Sequence, residues 1–108
     1  MARIAAIVPD LMFASRIEAT LGAAGHEVTV VPTVEALDTD GGEPELVVAD
    51  LGEIDPEPLG ARGEPVLGFY SHVDVETRRQ AEDAGVNLVV PRSRMAREMP
   101  ELVDSLLG

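Results

Sequence analysis

The sequence predicts an α/β fold in which a parallel sheet carries helices on both faces. Two observations predict it. Five short apolar segments, each of strand length, alternate with segments whose apolar residues recur at helical spacing. Gly and Pro residues mark most of the junctions between them. Because parallel neighbours need a crossover connection, this alternation is typical of right-handed βαβ units.

The predicted strands are short and rich in branched apolar residues, as buried parallel strands are. For five strands separated by helical segments, we expect the flavodoxin-like spatial order 2-1-3-4-5. A chain of 108 residues has room for one modest core, so residues 1–108 are expected to form a single domain. The predicted strands are Ile4–Val8, Glu27–Val31, Leu46–Ala49, Val66–Tyr70 and Leu88–Val90.

The helical segments differ in length. Between Asp50 and Pro65 the chain contains Pro56 and Pro58, which remove backbone donors and disfavour helical geometry just before them. We therefore expect a third helix that is short or absent. The other predicted helices are Leu11–Ala24 after an Asp10 N-cap, Val34–Asp38 after Thr33, a helix that Asp74 caps and that runs to Ala84, and Pro100–Leu107.

Charge and composition exclude several classes of function. The net charge is −12 and all eight basic residues are Arg, so a polyanion such as DNA would be repelled and no nucleic-acid partner is expected. The absence of Cys excludes a disulfide, a thiolate nucleophile and a zinc–cysteine site. The apolar run near the N-terminus is too short for a signal peptide or a membrane span. A soluble, cytoplasmic protein with no membrane partner is expected.

Polar residues cluster at the predicted carboxyl ends of four strands. In an open parallel sheet these ends meet at one edge, where ligands bind near the switch point between the first and third strands. We therefore expect one polar site at this edge. Its candidate residues are Asp10, Asp50, Tyr70, Ser71, His72 and Arg92.

Three stretches resemble the receiver domains of two-component response regulators, the CheY-like proteins of phosphorelay signalling. They are PELVVADL at 44–51, AAGHEV at 23–28 and AEDAGVN at 81–87. The resemblance covers nearly the whole chain and places Asp50 at the phosphoacceptor position. It implies an acidic pair after the first strand that holds Mg²⁺, a hydroxyl after the fourth strand, and a Lys–Pro pair after the fifth.

The other positions of that pattern are altered. Counting from AAGHEV places the acidic pair on Val8 and Pro9, with Asp10 one residue beyond. The hydroxyl position falls on Tyr70, with Ser71 next to it. The remaining substitutions are Arg92 at the Lys position, Ser93 at the Pro position and Val89 at the aromatic switch position. The resemblance is therefore to an atypical receiver, or pseudo-receiver.

These substitutions predict a weak metal site at most. Mg²⁺ needs several oxygen ligands, and only Asp10 and Asp50 remain as weak candidates, so no cofactor is expected. Asp10 has a second interpretation as a helix N-cap only. Without a metal, Arg92, or a water that it holds, is expected to neutralise Asp50 and hold the site in one conformation. The alternative is a solvated Arg92. Ser71 and His72 lack the spacing of a triad, so no catalytic residue and no enzymatic activity are expected.

The resemblance also implies an interaction surface. Receivers commonly use the face of the fourth helix, fifth strand and last helix for output and dimerisation. Arg78 and Arg79 are the adjacent basic pair in that predicted helix, and Met95 and Met99 are further candidates. The expected partner is another signalling protein or a second copy. The alternatives are a solvated face for the arginines and core packing for the methionines.

Three functions therefore stay open at this point. The first is a pseudo-receiver that acts by protein–protein interaction. The second is a working aspartyl-phosphate receiver with weak metal binding and slow, donor-dependent phosphorylation. The third, of another class, is a module that binds a small ligand in the cleft beyond the strand ends.

Overall fold

A computed structural model describes residues 1–39, 42–71 and 75–108. Its five strands form one parallel sheet in the order β2-β1-β3-β4-β5, with β3 in the centre. This confirms the predicted fold class. The strands are β1 Arg3–Ile7, β2 Glu27–Val31, β3 Leu46–Asp50, β4 Val66–Tyr70 and β5 Leu88–Pro91. The helices are α1 Leu11–Ala23, a 3₁₀ turn Glu35–Leu37, α2 Glu57–Gly60, α3 Val75–Asp83 and α4 Arg92–Leu107.

The boundaries of three strands differ from the prediction by one residue. β1 lies one residue earlier than expected, because its ladder with β2 begins at Arg3 and ends at Ile7. β3 extends to Asp50, which pairs with Phe69 in β4. β5 extends to Pro91, which pairs with Tyr70. Asp50 is therefore the last residue of the central strand, as expected.

The last helix was predicted in part. α4 begins at Arg92, because Pro91 has the extended backbone of an N-cap and the chain turns into the helix at once, and this first segment was not predicted. Glu98 departs from helical geometry and divides α4 at a kink, and the segment that follows, with Pro100 near its start, is the predicted last helix. A proline cannot donate to the preceding turn and restricts the residue before it, so this break follows from Pro100.

The third helix is short, as the prolines predicted. α2 is a single turn of four residues with Pro56 at its start. Gly60 at its end lies so close to α3 that a Cβ atom there would be 1.6 Å from the carbonyl oxygen of Ala84. Nearby, Thr33 accepts a hydrogen bond from the Ala36 N–H and caps the 3₁₀ turn, as expected.

The core consists of two layers, one on each face of the sheet. α1 and α4 cover one face, and the 3₁₀ turn, α2 and α3 cover the other. Met95 and Met99 are fully buried in the first layer. They pack the last helix on the sheet, so the hypothesis that they form an interface is wrong.

Two predicted features cannot be compared. The Asp74 cap and His72 lie outside the described residues. Among the helices of the described ranges, none is both long and apolar enough to cross a bilayer.

Candidate functional site at the carboxyl edge of the sheet

Asp50 is a buried carboxylate at the carboxyl end of β3. Its exposed fraction is 4%, and it is the one charged residue that is buried among those described. The chain turns sharply after it, since the N–H groups of Glu53 and Ile54 both bond to the Asp50 carbonyl. The same turn lets the Gly52 N–H donate to Asp50 Oδ1 at 3.0 Å. Local backbone therefore holds this carboxylate in place.

The surroundings of Asp50 disfavour its charged form. Burial raises the pKa of the Asp50 carboxyl group above its ordinary value. The Gly52 N–H and the positive charge of Arg92 oppose this rise only partly, and the charges of Glu53 and Asp10 reinforce it. Among the described residues, no cation fully compensates the burial of Asp50.

Asp10 caps α1, as one interpretation of the sequence predicted. Its Oδ1 accepts hydrogen bonds from the N–H groups of Met12 and Phe13 at 3.0 and 3.2 Å. Its Oδ2 lies 2.6 Å from Nη2 of Arg92. The hydrogen bond from Arg92, followed by that from the Phe13 N–H, lowers the pKa of the Asp10 carboxyl group. Both carboxylate oxygens of Asp10 are therefore already bonded.

Arg92 is paired with Asp10 and not with Asp50. Its guanidinium carbon lies 4.1 Å from the centre of the Phe13 ring, in a cation–π contact. Phe13 in turn meets Phe69 edge to face, with ring centres 5.0 Å apart. The stacked ring and the Asp10 carboxylate hold the guanidinium over α1. The expected direct Asp50–Arg92 pair is therefore not formed, although Arg92 is near enough to influence Asp50 electrostatically.

Phe13 is a member of this site that the sequence interpretation missed. A signal for it was present, because Phe13 follows Asp10 by three residues and so lies one helical turn along α1 from the cap. A flat guanidinium at the neighbouring strand end then has a ring to stack on.

The remaining predicted residues are placed as follows. Tyr70 ends β4 and is buried, and Ser71 directly after it is exposed. Val8 is buried and Pro9 exposed, and neither side chain offers an oxygen. Of the Ser71–His72 pair, His72 lies outside the described residues.

The described residues do not fit a resident Mg²⁺ ion. They contain no group of three or more His, Cys, Asp or Glu side chains that could hold a metal. The two nearest carboxylates are already engaged, Asp50 by a backbone N–H and Asp10 by two N–H groups and Arg92. A Mg²⁺ ion that used Oδ2 of Asp10 would have to displace Arg92 from it.

A separate cleft of about 690 Å³ lies between the β3–α2 loop and α3. Four carboxylate side chains line it, those of Glu53, Asp55, Glu57 and Asp83, and no basic residue does. Such a lining repels phosphates. The cleft therefore gives no support to a nucleotide-binding module.

The predicted basic pair lies on the exposed side of α3. Arg78 faces Glu82 one turn along, with 3.5 Å between Nε and Oε2. Arg79 is exposed. Both are available to a partner, in contrast to the two buried methionines.

Comparison with known proteins supports the fold. No protein-family model matches the sequence, and no curated protein matches it. A putative response regulator from Chloroflexus aurantiacus has a TM-score of 0.84 at 20% identity, over 98% of this chain and 97% of that one. The chemotaxis response regulator CheY4 of Vibrio cholerae has a TM-score of 0.82 at 17% identity, over 99% of each chain. The chain thus has the CheY-like receiver fold.

The same fold occurs within a longer protein. NtrX from Brucella abortus, solved in complex with ADP, has a TM-score of 0.83 at 18% identity. The match covers 98% of this chain and 27% of NtrX, so this chain spans about a quarter of that protein.

Proposed function

We propose that this chain is a pseudo-receiver, a single-domain cytoplasmic module of two-component-type signalling that acts by contact with another protein. One observation carries the proposal, the engagement of Asp10 by Arg92 at the edge of the sheet. In this role Asp50 is a buried structural residue and does not undergo metal-assisted phosphorylation.

The chemistry of phosphoryl transfer supports this assignment. Transfer to a carboxylate depends on positioning and on cations that neutralise the phosphoryl oxygens and the nucleophile. Here the nearby cation is Arg92, and its hydrogen bond is already made to Asp10. Val8 and Pro9 contribute no ligand to recruit a metal. The site is therefore poorly equipped to bring a phosphoryl donor to Asp50.

The proposed contact surface is the face formed by α3, β5 and the first turns of α4. It carries Arg78 and Arg79, which complement an acidic patch on another signalling protein or on a second copy. In a chain of net charge −12, an exposed basic pair is a distinctive feature for recognition.

The test is a titration with acetyl phosphate or beryllofluoride in the presence of Mg²⁺, followed by amide chemical shifts. We expect no saturable shifts at Asp50 and Gly52. The control is Asp50→Asn, which removes the acceptor while leaving an oxygen for the Gly52 N–H. Saturable shifts in the wild type that are absent from the control would contradict the proposal.

A working phosphoacceptor is the second candidate, and the position of Asp50 at the end of β3 favours it. It requires Arg92 to leave Asp10 when a metal and a phosphoryl donor bind. The same titration decides between the two, because a slow donor-dependent modification of Asp50 would appear by mass spectrometry as an added phosphoryl group.

A further inference from the structure

The last helix consists of two segments that are anchored differently. Glu98, with φ −120° and ψ 20°, departs from helical geometry and separates residues 92–97 from residues 99–107. The second segment packs three buried side chains into the core, those of Met99, Leu102 and Val103. This segment is therefore held in place without help from the first.

The first segment, residues 92–97, has few contacts of its own. It is shorter than two turns, and a helix of that length is not stable alone. Its N-cap residue, Pro91, makes no side-chain hydrogen bond to the first turn. Met95 is fully buried, and Ala96 is partly buried against the same core. Burial therefore fixes the segment mainly through Met95.

Arg92 supplies the second anchor, at the start of the segment. Its Nη2 lies 2.6 Å from Asp10 Oδ2, and its guanidinium carbon lies 4.1 Å from the centre of the Phe13 ring. Both contacts are made to the start of α1, so they join the segment to a different helix.

The other ion pairs of the segment remain within α4. Arg94 and Arg97 each contact Glu98 at 3.4 Å, and all three side chains are largely exposed. Exposed pairs of this kind contribute little to stability. Among the described residues, Arg92 therefore makes the ion pair that ties the segment to the rest of the fold.

We propose that residues 92–97 form a hinged strap, which opens at Glu98 while the rest of the chain stays folded, and that the Asp10–Arg92 pair is the latch that keeps it closed. Local opening is expected where few apolar contacts hold a segment.

The consequence of opening rests on the proposed function. The exposed residues Arg94 and Arg97 lie on the strap, in the first turns of α4 that form part of the proposed contact surface. A partner carboxylate that takes Arg92 from Asp10 would release the strap and move both arginines. The latch would then control the shape of that surface.

Native-state amide hydrogen exchange of the whole chain tests the strap. The amides of residues 95–97 report on it, since they are the first in α4 with acceptors in the turn before, and the amides of residues 103–106 report on the second segment. We expect the strap amides to open at least about tenfold more often. Equal protection of the two segments would overturn the proposal. The measurement needs no partner and no phosphoryl donor, so its failure is distinct from a failure of the proposed function.

Arg92→Gln tests the latch. It removes the charge that Asp10 binds and the cation that lies on Phe13, so exchange of the strap amides should become faster by about tenfold. Arg16→Gln is the control, because it removes the same charge from an exposed position of α1. It should change exchange of the strap amides by less than about twofold. Unchanged exchange in Arg92→Gln would overturn the proposal.

A core variant tests whether the strap opens independently. Ile7 is fully buried on the face of the sheet opposite α4, and Ile7→Val should weaken the whole fold slightly. Exchange of the amides at 103–106 should become faster by about fivefold, while that of the strap amides stays the same. Equal acceleration of both sets would show that the strap opens only when the whole chain unfolds, and would overturn the proposal.

Discussion

The guanidinium of Arg92 lies 2.6 Å from the Asp10 carboxylate, and this pair joins the start of α4 to the start of α1. The Phe13 ring beneath the guanidinium, 4.1 Å from its carbon atom, fixes the direction in which the side chain points. The positive charge of Arg92 is therefore held on Asp10, one of the two acids that a divalent cation at this edge would need.

The first prediction concerns Mg²⁺ affinity. Arg92→Ala removes a positive charge and frees Oδ2 of Asp10, so Mg²⁺ binding should become tighter by about tenfold at low salt. Amide shifts of Gly52 during a Mg²⁺ titration measure the affinity. Arg79→Ala, which removes the same charge from the exposed side of α3, is the control and should leave it unchanged. Equal affinities in the wild type and Arg92→Ala would show that the pair does not exclude the metal.

The second prediction concerns the stability cost of the Asp50 charge. Because burial raises the pKa of Asp50 in the folded chain, its protonated form is the one that folding favours. The stabilisation of the folded chain that comes from the neutral Asp50 carboxyl group is fully present below the unfolded pKa of 3.8. It is lost as the pH rises through the raised pKa of Asp50 in the folded chain. Asp50→Asn should therefore be more stable than the wild type at pH 7, by about 1 kcal/mol.

Urea denaturation from pH 3 to pH 8 measures this difference, which should shrink as the pH falls towards 3.8. Glu53→Gln removes a neighbouring exposed charge and should change stability by less than about 0.5 kcal/mol. A variant Asp50→Asn that is less stable than the wild type at pH 7 would instead show that a cation compensates Asp50 and would restore the Asp50–Arg92 pairing as an explanation.

The fold could be predicted from the sequence because its inner strands are buried on both faces. Leu46–Asp50 and Val66–Tyr70 are buried at every position, so they read as continuous apolar runs. The start of α4 could not be predicted in the same way. Of its first six residues, Arg92 to Arg97, Met95 is the one that is fully buried, and a single buried residue shows no period.

The position of each strand-end residue was predictable, but the partner of Arg92 was not. Parallel topology brings Asp10, Asp50 and Arg92 to one edge whatever their rotamers. Which acid the guanidinium meets depends on the Phe13 ring, whose place follows from the packing of α1 on Phe69. That is a tertiary contact between distant parts of the chain, and no local pattern encodes it.

The third prediction concerns a loop contact. Arg62 makes a two-bond contact with Glu64, at 3.0 and 2.9 Å, and a further bond to Asp38 at 2.7 Å. These partners raise the pKa of Arg62, Glu64 most strongly. Arg62→Lys keeps the charge but loses the fork geometry, so it should cost about 1 kcal/mol.

Thermal or urea unfolding measures the loss. The matched control is Arg97→Lys, because Arg97 is 70% exposed and makes one long contact of 3.4 Å to Glu98. It should be nearly neutral. If both substitutions have the same effect, the two-bond geometry of Arg62 contributes nothing to stability.

The last prediction tests why the single turn α2 is tolerated in this fold. Gly60 allows that turn to lie directly against the end of α3, and a methyl group there would overlap the Ala84 carbonyl at 1.6 Å. The obstacle is a backbone atom that cannot rotate away, so Gly60→Ala should lower the free energy of unfolding by at least about 2 kcal/mol, the scale of an overpacked core.

Gly22→Ala is the matched control, because a Cβ atom there meets nothing within 4 Å and the position is helical. That change should stabilise the chain by about 0.5 kcal/mol, since alanine restricts the unfolded chain more than glycine does. Urea denaturation measures both. If Gly60→Ala is as harmless as Gly22→Ala, the close contact between α2 and the end of α3 does not hold α2 in place.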